Sequence, residues 1–332
     1  GRGGGDVEVD GGGSGEQRAV AERGWAAGAA KYLLECEQRE GRRLELMSYH
    51  VRNLLPYIGS MAMGDICNEA LETFKEERTE DGAKNATINR SLEVVRTVMN
   101  RAARVWRDNG KPWLASAPLI EMLDEMQQRR PPYPLTWAEQ GKLVPALAPH
   151  LQRPVLFALN TGARDDNVCG LRWEWEVKVL ELKRSVFVIP AAEFKGKRDH
   201  VLILNDAAWD IVEACRDQHA TYVFVYRPPA PAKGEPKRSL EPRRIDTLNN
   251  TGWQRARESV GLARVRVHDL RHTYGQRLRD AGVSEEDRAL LLGHAIEGMP
   301  QHYAAATVAR LVEAANKVPH PVDRTTLLRA VA

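Results

Sequence analysis

Apolar residues recur along this chain at two different periods. From residue 17 to about 128 the spacing is helical: Val20, Trp25, Ala29, Tyr32 and Cys36 fall three to five apart, and Gly41 follows as a stop. The segment 86–108 repeats the pattern, with Ile88, Leu92, Val95, Val98, Met99, Ala102 and Trp106 on one stripe and Asn109-Gly110 expected to end it. Its opposite face holds Arg90, Arg96, Arg101 and Arg104, which on this segment alone reads as a solvated face.

Pro131-Pro132 and Pro134 then form a stiff break, and Thr136-Trp-Ala-Glu139 has the spacing of a capping box opening a new helix. The period shortens to two in 177–182, 185–190 and 200–204, short runs rich in β-branched residues that predict a small meander. Its turns fall at Lys183-Arg184 and around Lys195-Gly196-Lys197. Prolines make 228–244 a loop, and helical spacing resumes to the end, with Gly282 closing one helix and Ser284 capping the next. The pattern predicts a mainly α fold with a small antiparallel β-sheet (α+β). Its domains are 17–130 and 131–332, after a glycine-rich, disordered tail over 1–16. No internal repeat is evident.

Composition narrows the class. The 332 residues are 43% hydrophobic and 28% charged, which suits ordered domains and argues against wholesale disorder. No apolar run approaches the roughly 18 residues that span a bilayer, and no basic stretch followed by an apolar one opens the chain, so neither a membrane nor secretion is expected. Cys36, Cys67, Cys169 and Cys215 lie far apart, which reads as reduced, structural thiols in a cytoplasmic protein. Net charge is only +3, yet 227–271 holds 11 basic residues against 5 acidic. Such a stretch suits a polyphosphate surface as well as it suits a solvated loop.

Three clusters in the second domain could carry chemistry: Thr161-Gly-Ala-Arg164, His268-Asp-Leu-Arg271-His272-Thr273, and Leu292-Gly293-His294 followed by Tyr303. Each taken singly has a structural explanation as a cap or a hydrogen-bond partner. Taken together, two arginines, two histidines, a lysine in a β-turn and a downstream tyrosine suit one task. Guanidinium and imidazole donors stabilise the negative charge that a phosphodiester transition state spreads over its non-bridging oxygens. A tyrosine hydroxyl, with a free pKa of about 10, needs such a cationic surround to act as a nucleophile. No carboxylate or Cys/His cluster converges to hold a metal, and no phosphate-binding glycine loop implies ATP, so neither metal nor cofactor is expected.

The segments TGARDDNVCGLRW (161–173) and RVHDLRHTYGQRLRDAGVSEEDRALLLGHAIEGMPQHY (266–303) resemble the tyrosine recombinases, the phage-type integrases and their bacterial relatives. NNTGWQRARESVGL (249–262) is similar too, and ATINRSLEVVRTVMNRAARV (86–105) resembles the last long helix of that family's core-binding domain. The resemblance implies a helical, DNA-binding core-binding domain over 17–130 and a catalytic domain with a C-terminal helix over 131–332. It implies Arg164 and Arg271 as the clamp on the scissile phosphate, and His268 as the assistant to proton transfer at the nucleophile. His294 becomes a donor to the phosphate and Tyr303 the nucleophile that attaches to a DNA 3′-phosphate. Lys195 best matches the lysine that protonates the leaving oxygen, with Lys197 its competitor, while Tyr274 is the nearest alternative nucleophile.

The implied activity is site-specific DNA recombination, with a type IB topoisomerase or a catalytically silent DNA-binding relative as rivals. The implied partners are double-stranded DNA core sites, a homo-tetramer on DNA and, with room left for them, accessory DNA-bending proteins at the nucleoid. Phosphate contacts are expected from Arg90, Arg96, Arg101, Arg243, Arg244, Arg255 and Arg257. Three positions depart from the family pattern. Asn167 replaces a frequent acidic residue and is expected to support its neighbours, Val201-Leu-Ile203 lacks the usual proline, and Pro300 enters the turn before Tyr303. A short helix over 323–332, with Leu327, Leu328 and Val331 as its apolar stripe, is expected to pack on a neighbouring protomer.

Overall fold

The stripe foreseen in 88–102 is buried along its length: Ile88, Leu92, Val95, Val98, Met99 and Ala102 are at most 1% exposed. Helices α1 (Trp25–Arg39), α2 (Gly41–Ile58) and α3 (Glu72–Glu80) close around it, and the stripe itself lies on α4 (Asn85–Arg104). Trp25, Leu54, Ile58 and Phe74 complete that core, where each fully buried side chain contributes roughly 1.5–3 kcal/mol. The computed structural model describes residues 23–39, 41–230, 239–294 and 305–318. The tail over 1–16, Val20, Tyr303 with Pro300, and the helix over 323–332 lie outside them.

Several expectations for this first unit are corrected. The stop at Gly41 is a joint, since α1 ends at Arg39 and α2 starts at Gly41 itself. Helix α4 ends at Arg104, and Asn109-Gly110 is the turn of a small hairpin between β1 (Arg107–Asp108) and β2 (Lys111–Pro112). Trp106 leaves the helix because its indole nitrogen donates to Glu35 at 2.6 Å while its ring meets Trp113 edge-on at 5.2 Å. Asn109 accordingly takes a left-handed φ of 48°, which asparagine tolerates in such turns. Residues 113–125 are not helical; they run back along α4. Asn89 holds them, donating to the Leu123 carbonyl at 2.9 Å and accepting from the Leu123 amide at 2.8 Å.

The arginine face of α4 also divides. Arg96 and Arg104 are exposed, and Arg90 pairs with Glu93 at 2.7 Å on the surface. Arg101, however, turns inward to Glu35 at 2.5 Å and has only 18% of its side chain exposed, so it is not on a solvated face.

The chain divides into two compact units between Arg130 and Pro131. In the second, Thr136 caps α5 (Trp137–Ala146) with the full capping box, accepting from the Glu139 amide while Glu139 accepts from the Thr136 amide. The buried helix α6 (Pro149–Thr161) and the short α7 (Asp165–Cys169) follow. The meander forms as an antiparallel sheet in the order β3 (Glu176–Val179), β4 (Arg184–Ile189), β5 (His200–Leu202). Its register sets Phe187 opposite Leu202 and Ile189 opposite His200. The first strand is shorter than expected, because 180–182 tighten into a single 3₁₀ turn ending at Lys183 with φ 50°.

Helix α8 (Asp206–Glu213) and β6 (Val225–Tyr226) come next. The proline-rich loop is corrected at its end: Arg243-Arg244 form β7, paired with β6. Helices α9 (Thr251–Ser259), α10 (Val267–Asp280), α11 (Glu285–Leu292) and α12 (Ala305–Asn316) complete the unit. Leu151, Val155, Phe157 and Leu159 of α6 join Phe187, Leu202 and Trp253 in one core, while Tyr274, Leu278, Leu291 and Leu311 form a second. Among the described residues no helix is long and apolar enough to cross a membrane.

Candidate active site

Helix α10 begins when the Asp269 carboxylate accepts from the Arg266 amide at 2.8 Å and from the Tyr133 amide at 3.1 Å. From there His268 and Arg271, three apart, share one face. Arg271 is 8% exposed, and one of its terminal nitrogens donates to the Gly162 carbonyl at 2.7 Å. The other donates to the Leu292 carbonyl. These carbonyls stand at the C-terminal ends of α6 and α11, where unpaired oxygens and the helix dipole both favour a cation. Gly162 must be glycine: its φ is 65°, and a Cβ there would sit 2.7 Å from both Leu292 Cδ2 and Tyr274 Cδ1.

Arg164 lies two residues beyond Gly162, at the start of α7. Its Nη1 is buried with no acceptor among the described residues, and its guanidinium lies 5.1 Å from the centre of the Phe194 ring. Burial first, then the charge of Arg164, pushes the pKa of Arg271 down to about 10, so both arginines stay charged at neutral pH. Two guanidinium ions side by side, one with an orphan donor, make a site for an anion.

The histidines flank this pair. Gly293 ends α11 with φ 63°, and a Cβ on it would meet His200 Cε1 at 2.7 Å and Phe194 Cζ at 2.8 Å. His294 therefore leaves the helix there, its amide held by the Ala289 carbonyl at 2.8 Å and its carbonyl accepting from Arg198. The rings of His268 and His272 meet edge-on at 4.8 Å. Burial is the largest cause holding His268 and His294 below the usual histidine pKa, and Arg271 and Arg164 add to it for each. Each is thus a neutral imidazole at pH 7, able to accept a proton.

Lys195 and Lys197 are both exposed in the turn between β4 and β5. Asn167 supports that turn, as its position suggested, donating to the Glu193 carbonyl at 3.3 Å from a site 5% exposed. Tyr274 is removed as a nucleophile: it is fully buried, and desolvation raises its pKa.

Three residues that sequence reasoning passed over belong to this site. His200 and Phe194 lie beneath the arginines, and Arg198 ties the lysine turn to His294. Burial, with Arg271, Arg164 and Arg198 nearby, pushes the pKa of His200 down to about 3. The available signal was a lone histidine opening a strand of otherwise aliphatic residues, HVLIL.

His268 and Arg271 form the wall between two cavities. One, about 480 Å³, is lined by Arg164, Asn249, Gln254, Arg257 and Arg266; the other, about 450 Å³, by His272, Arg279, Arg288 and His294. Of the arginines foreseen as phosphate contacts, Arg257 thus reaches the site, though one of its nitrogens is bound to the Val265 carbonyl at 2.7 Å. Arg255 is exposed on α9, and Arg243 and Arg244 are exposed on β7.

The phage integrase family model matches residues 142–310, about half of the chain and all of this site. The chain belongs to the phage integrase family. It is 27% identical over 236 residues to the integrase of Salmonella phage P22, covering 70% of this chain and 57% of that protein's length. It is 25% identical over 293 residues to the tyrosine recombinase XerA of Thermococcus kodakarensis, covering 86% of this chain and 92% of that one. Among solved structures it resembles a lambda integrase tetramer bound to a Holliday junction, with a TM-score of 0.61 at 15% identity over 88% of this chain and 84% of that one. The Tn1549 transposon integrase in complex with circular intermediate DNA gives a TM-score of 0.59 at 15% identity, covering 87% of this chain and 98% of that one. These two likenesses establish the fold, mainly α with small antiparallel sheets.

Proposed function

We propose that this chain is a site-specific DNA recombinase that cleaves and rejoins strands through Tyr303. The observation that carries the reading is the convergence of Arg164, Arg271, His268 and His294, with a buried guanidinium donor of Arg164 left without an acceptor among the described residues. A scissile phosphate supplies that acceptor. Arg164 and Arg271 then hold its non-bridging oxygens and stabilise the charge that grows on them.

The Tyr303 oxygen attacks phosphorus, the P–O bond to tyrosine forms, and the P–O5′ bond breaks. The phenolic proton passes to neutral His268, and the ammonium of Lys195 gives a proton to the departing 5′ oxygen. One phosphodiester becomes one phosphotyrosine, so reversal by another 5′-hydroxyl needs no external energy. The XerA relative is a tyrosine recombinase and the lambda integrase neighbour is a tetramer on a Holliday junction. A tetramer on paired core sites in the cytoplasm, with residues 17–130 as the core-binding domain, is the corresponding assembly here.

A nicked duplex carrying the core site tests this directly, because loss of the short strand traps the covalent adduct. The adduct should map to Tyr303 and vanish in Tyr303→Phe, whose DNA affinity stays within about 2-fold because the ring is kept. An adduct on another residue overturns the nucleophile, and DNA binding with no adduct from the unaltered chain identifies a silent relative.

A further inference from the structure

The ring of Phe194 is the point at which the parts of this site meet. Its neighbour His200 stacks on it, with centroids 4.5 Å apart and planes at 25°. The chain wraps closely round the same ring, since a Cβ on Gly196 would lie 2.9 Å from Phe194 Cε1. Gly293, which delivers His294, packs on both rings, and the Arg164 guanidinium stands over Phe194. His200 is only 7% exposed and its ring has no hydrogen bond among the described residues to account for its burial, yet it sits among three arginines at the start of an aliphatic strand. A leucine would fill such a place with less desolvation cost. A planar ring does what a branched aliphatic cannot: it gives Phe194 a flat face to stack on and Gly293 a flat face to approach.

We propose that His200 is a positioning residue for the proton donor: by stacking on Phe194 and packing on the Cα of Gly293, it holds the Lys195 turn against the arginine pair. The turn has other anchors, and they meet at or beside Phe194, whose amide donates to the Pro190 carbonyl at 3.0 Å. Asn167 grips it at Glu193, the Asp199 carboxylate accepts from the Ala191 amide at 2.8 Å, and Arg198 reaches the His294 carbonyl. The Lys197 amide donates to the Phe194 carbonyl at 2.9 Å, so the path of 195–197 follows from where Phe194 is held.

The inference rests on the recombinase reading, and the test separates the two. Single-turnover cleavage is measured on a nicked substrate with an ordinary 5′ oxygen leaving group and on one with sulfur there, which departs without a proton. Adduct formation by the unaltered chain on both is the control; its absence refutes the recombinase reading and leaves His200 with no donor to position, so both fail. With that control in hand, His200→Ala should cleave the oxygen substrate about 10–100-fold more slowly and the sulfur substrate at most about 3-fold more slowly. His200→Phe, which keeps a stacking ring, should remain within about 3-fold on both. Equal losses on the two substrates, or no loss on either, overturn the proposal, as does a His200→Phe no better than His200→Ala. If His200→Ala fails to fold, Phe194→Leu decides, since removing the other ring must give the same sulfur-rescued loss.

Discussion

The guanidinium of Arg271 is bound to the carbonyl of Gly162, two residues before Arg164, so the two arginines of this site are tied through one short piece of backbone. The left-handed turn at Gly162 ends α6, presents its oxygen to one arginine and aims the chain that carries the other. Arg271 takes a second carbonyl from Leu292, one residue before Gly293 and two before His294. A single side chain thus sets the spacing of three motifs that lie far apart in sequence.

Arg271→Lys should therefore lose more than its charge suggests. An ammonium cannot bridge both carbonyls and still face a phosphate, as a planar fork of five donors can. Cleavage should fall by about 10²–10³-fold, and an unmet buried carbonyl should cost about 1–3 kcal/mol of stability. Retention of near-normal cleavage with lysine would mean the geometry is not needed.

Tyr274→Phe should leave cleavage unchanged and stability equal or slightly raised, by up to about 1 kcal/mol, because its hydroxyl is buried without a partner among the described residues. Chemical denaturation and adduct formation check the two halves. A lost adduct would return Tyr274 to the mechanism.

Lys195→Ala should slow cleavage of an ordinary substrate by about 10²–10⁴-fold, with recovery on a sulfur leaving group. Lys197 adopts a left-handed φ of 53°, so Lys197→Gly relieves that backbone and is the better comparison there. Sulfur rescue of Lys197→Gly and not of Lys195→Ala reassigns the proton donor.

Stability should fall as pH drops below about 6.5. The folded-state pKa of His200, about 3, lies below that of an unfolded histidine, so its stability contribution is present above pH 6.5 and lost as the unfolded chain takes up the proton. His50, His268, His272 and His294 are shifted in the same direction. Between pH 6.5 and 5, above most carboxylate titrations, His200→Phe should lower the slope by up to about 1.4 kcal/mol per pH unit. Urea midpoints at four pH values measure it, and parallel curves for the two proteins contradict it.

DNA binding should weaken steeply with salt. Arg255→Ala, at an exposed position on α9, should reduce the slope of log affinity against log salt by about 0.9. Arg101→Ala should leave that slope unaltered, because Arg101 is engaged with Glu35. Equal slopes for Arg255→Ala and the unaltered chain would return Arg255 to an ordinary solvated position.

Period and motif in the sequence alone were sufficient for the helix of 88–102, the capping box at Thr136 and the three-stranded meander, and they singled out Arg164, His268, Arg271 and His294, four positions that the fold brings together. Each is a local matter, decided by residues within a turn or a strand of one another, or by a spacing specific enough to be read as a resemblance. Tertiary structure decided what depends on contacts between distant segments. Trp106 leaves its helix for Glu35, 71 residues away, and residues 113–125 are pulled from helix to extended chain by Asn89. Arg101 is withdrawn from the surface by a carboxylate on another helix. His200 looked like one more strand residue until the fold set Phe194, Gly293 and three arginines around it. A side chain's neighbours across the core leave no mark on its own stretch of sequence, because period records only which face is buried and not what it is buried against.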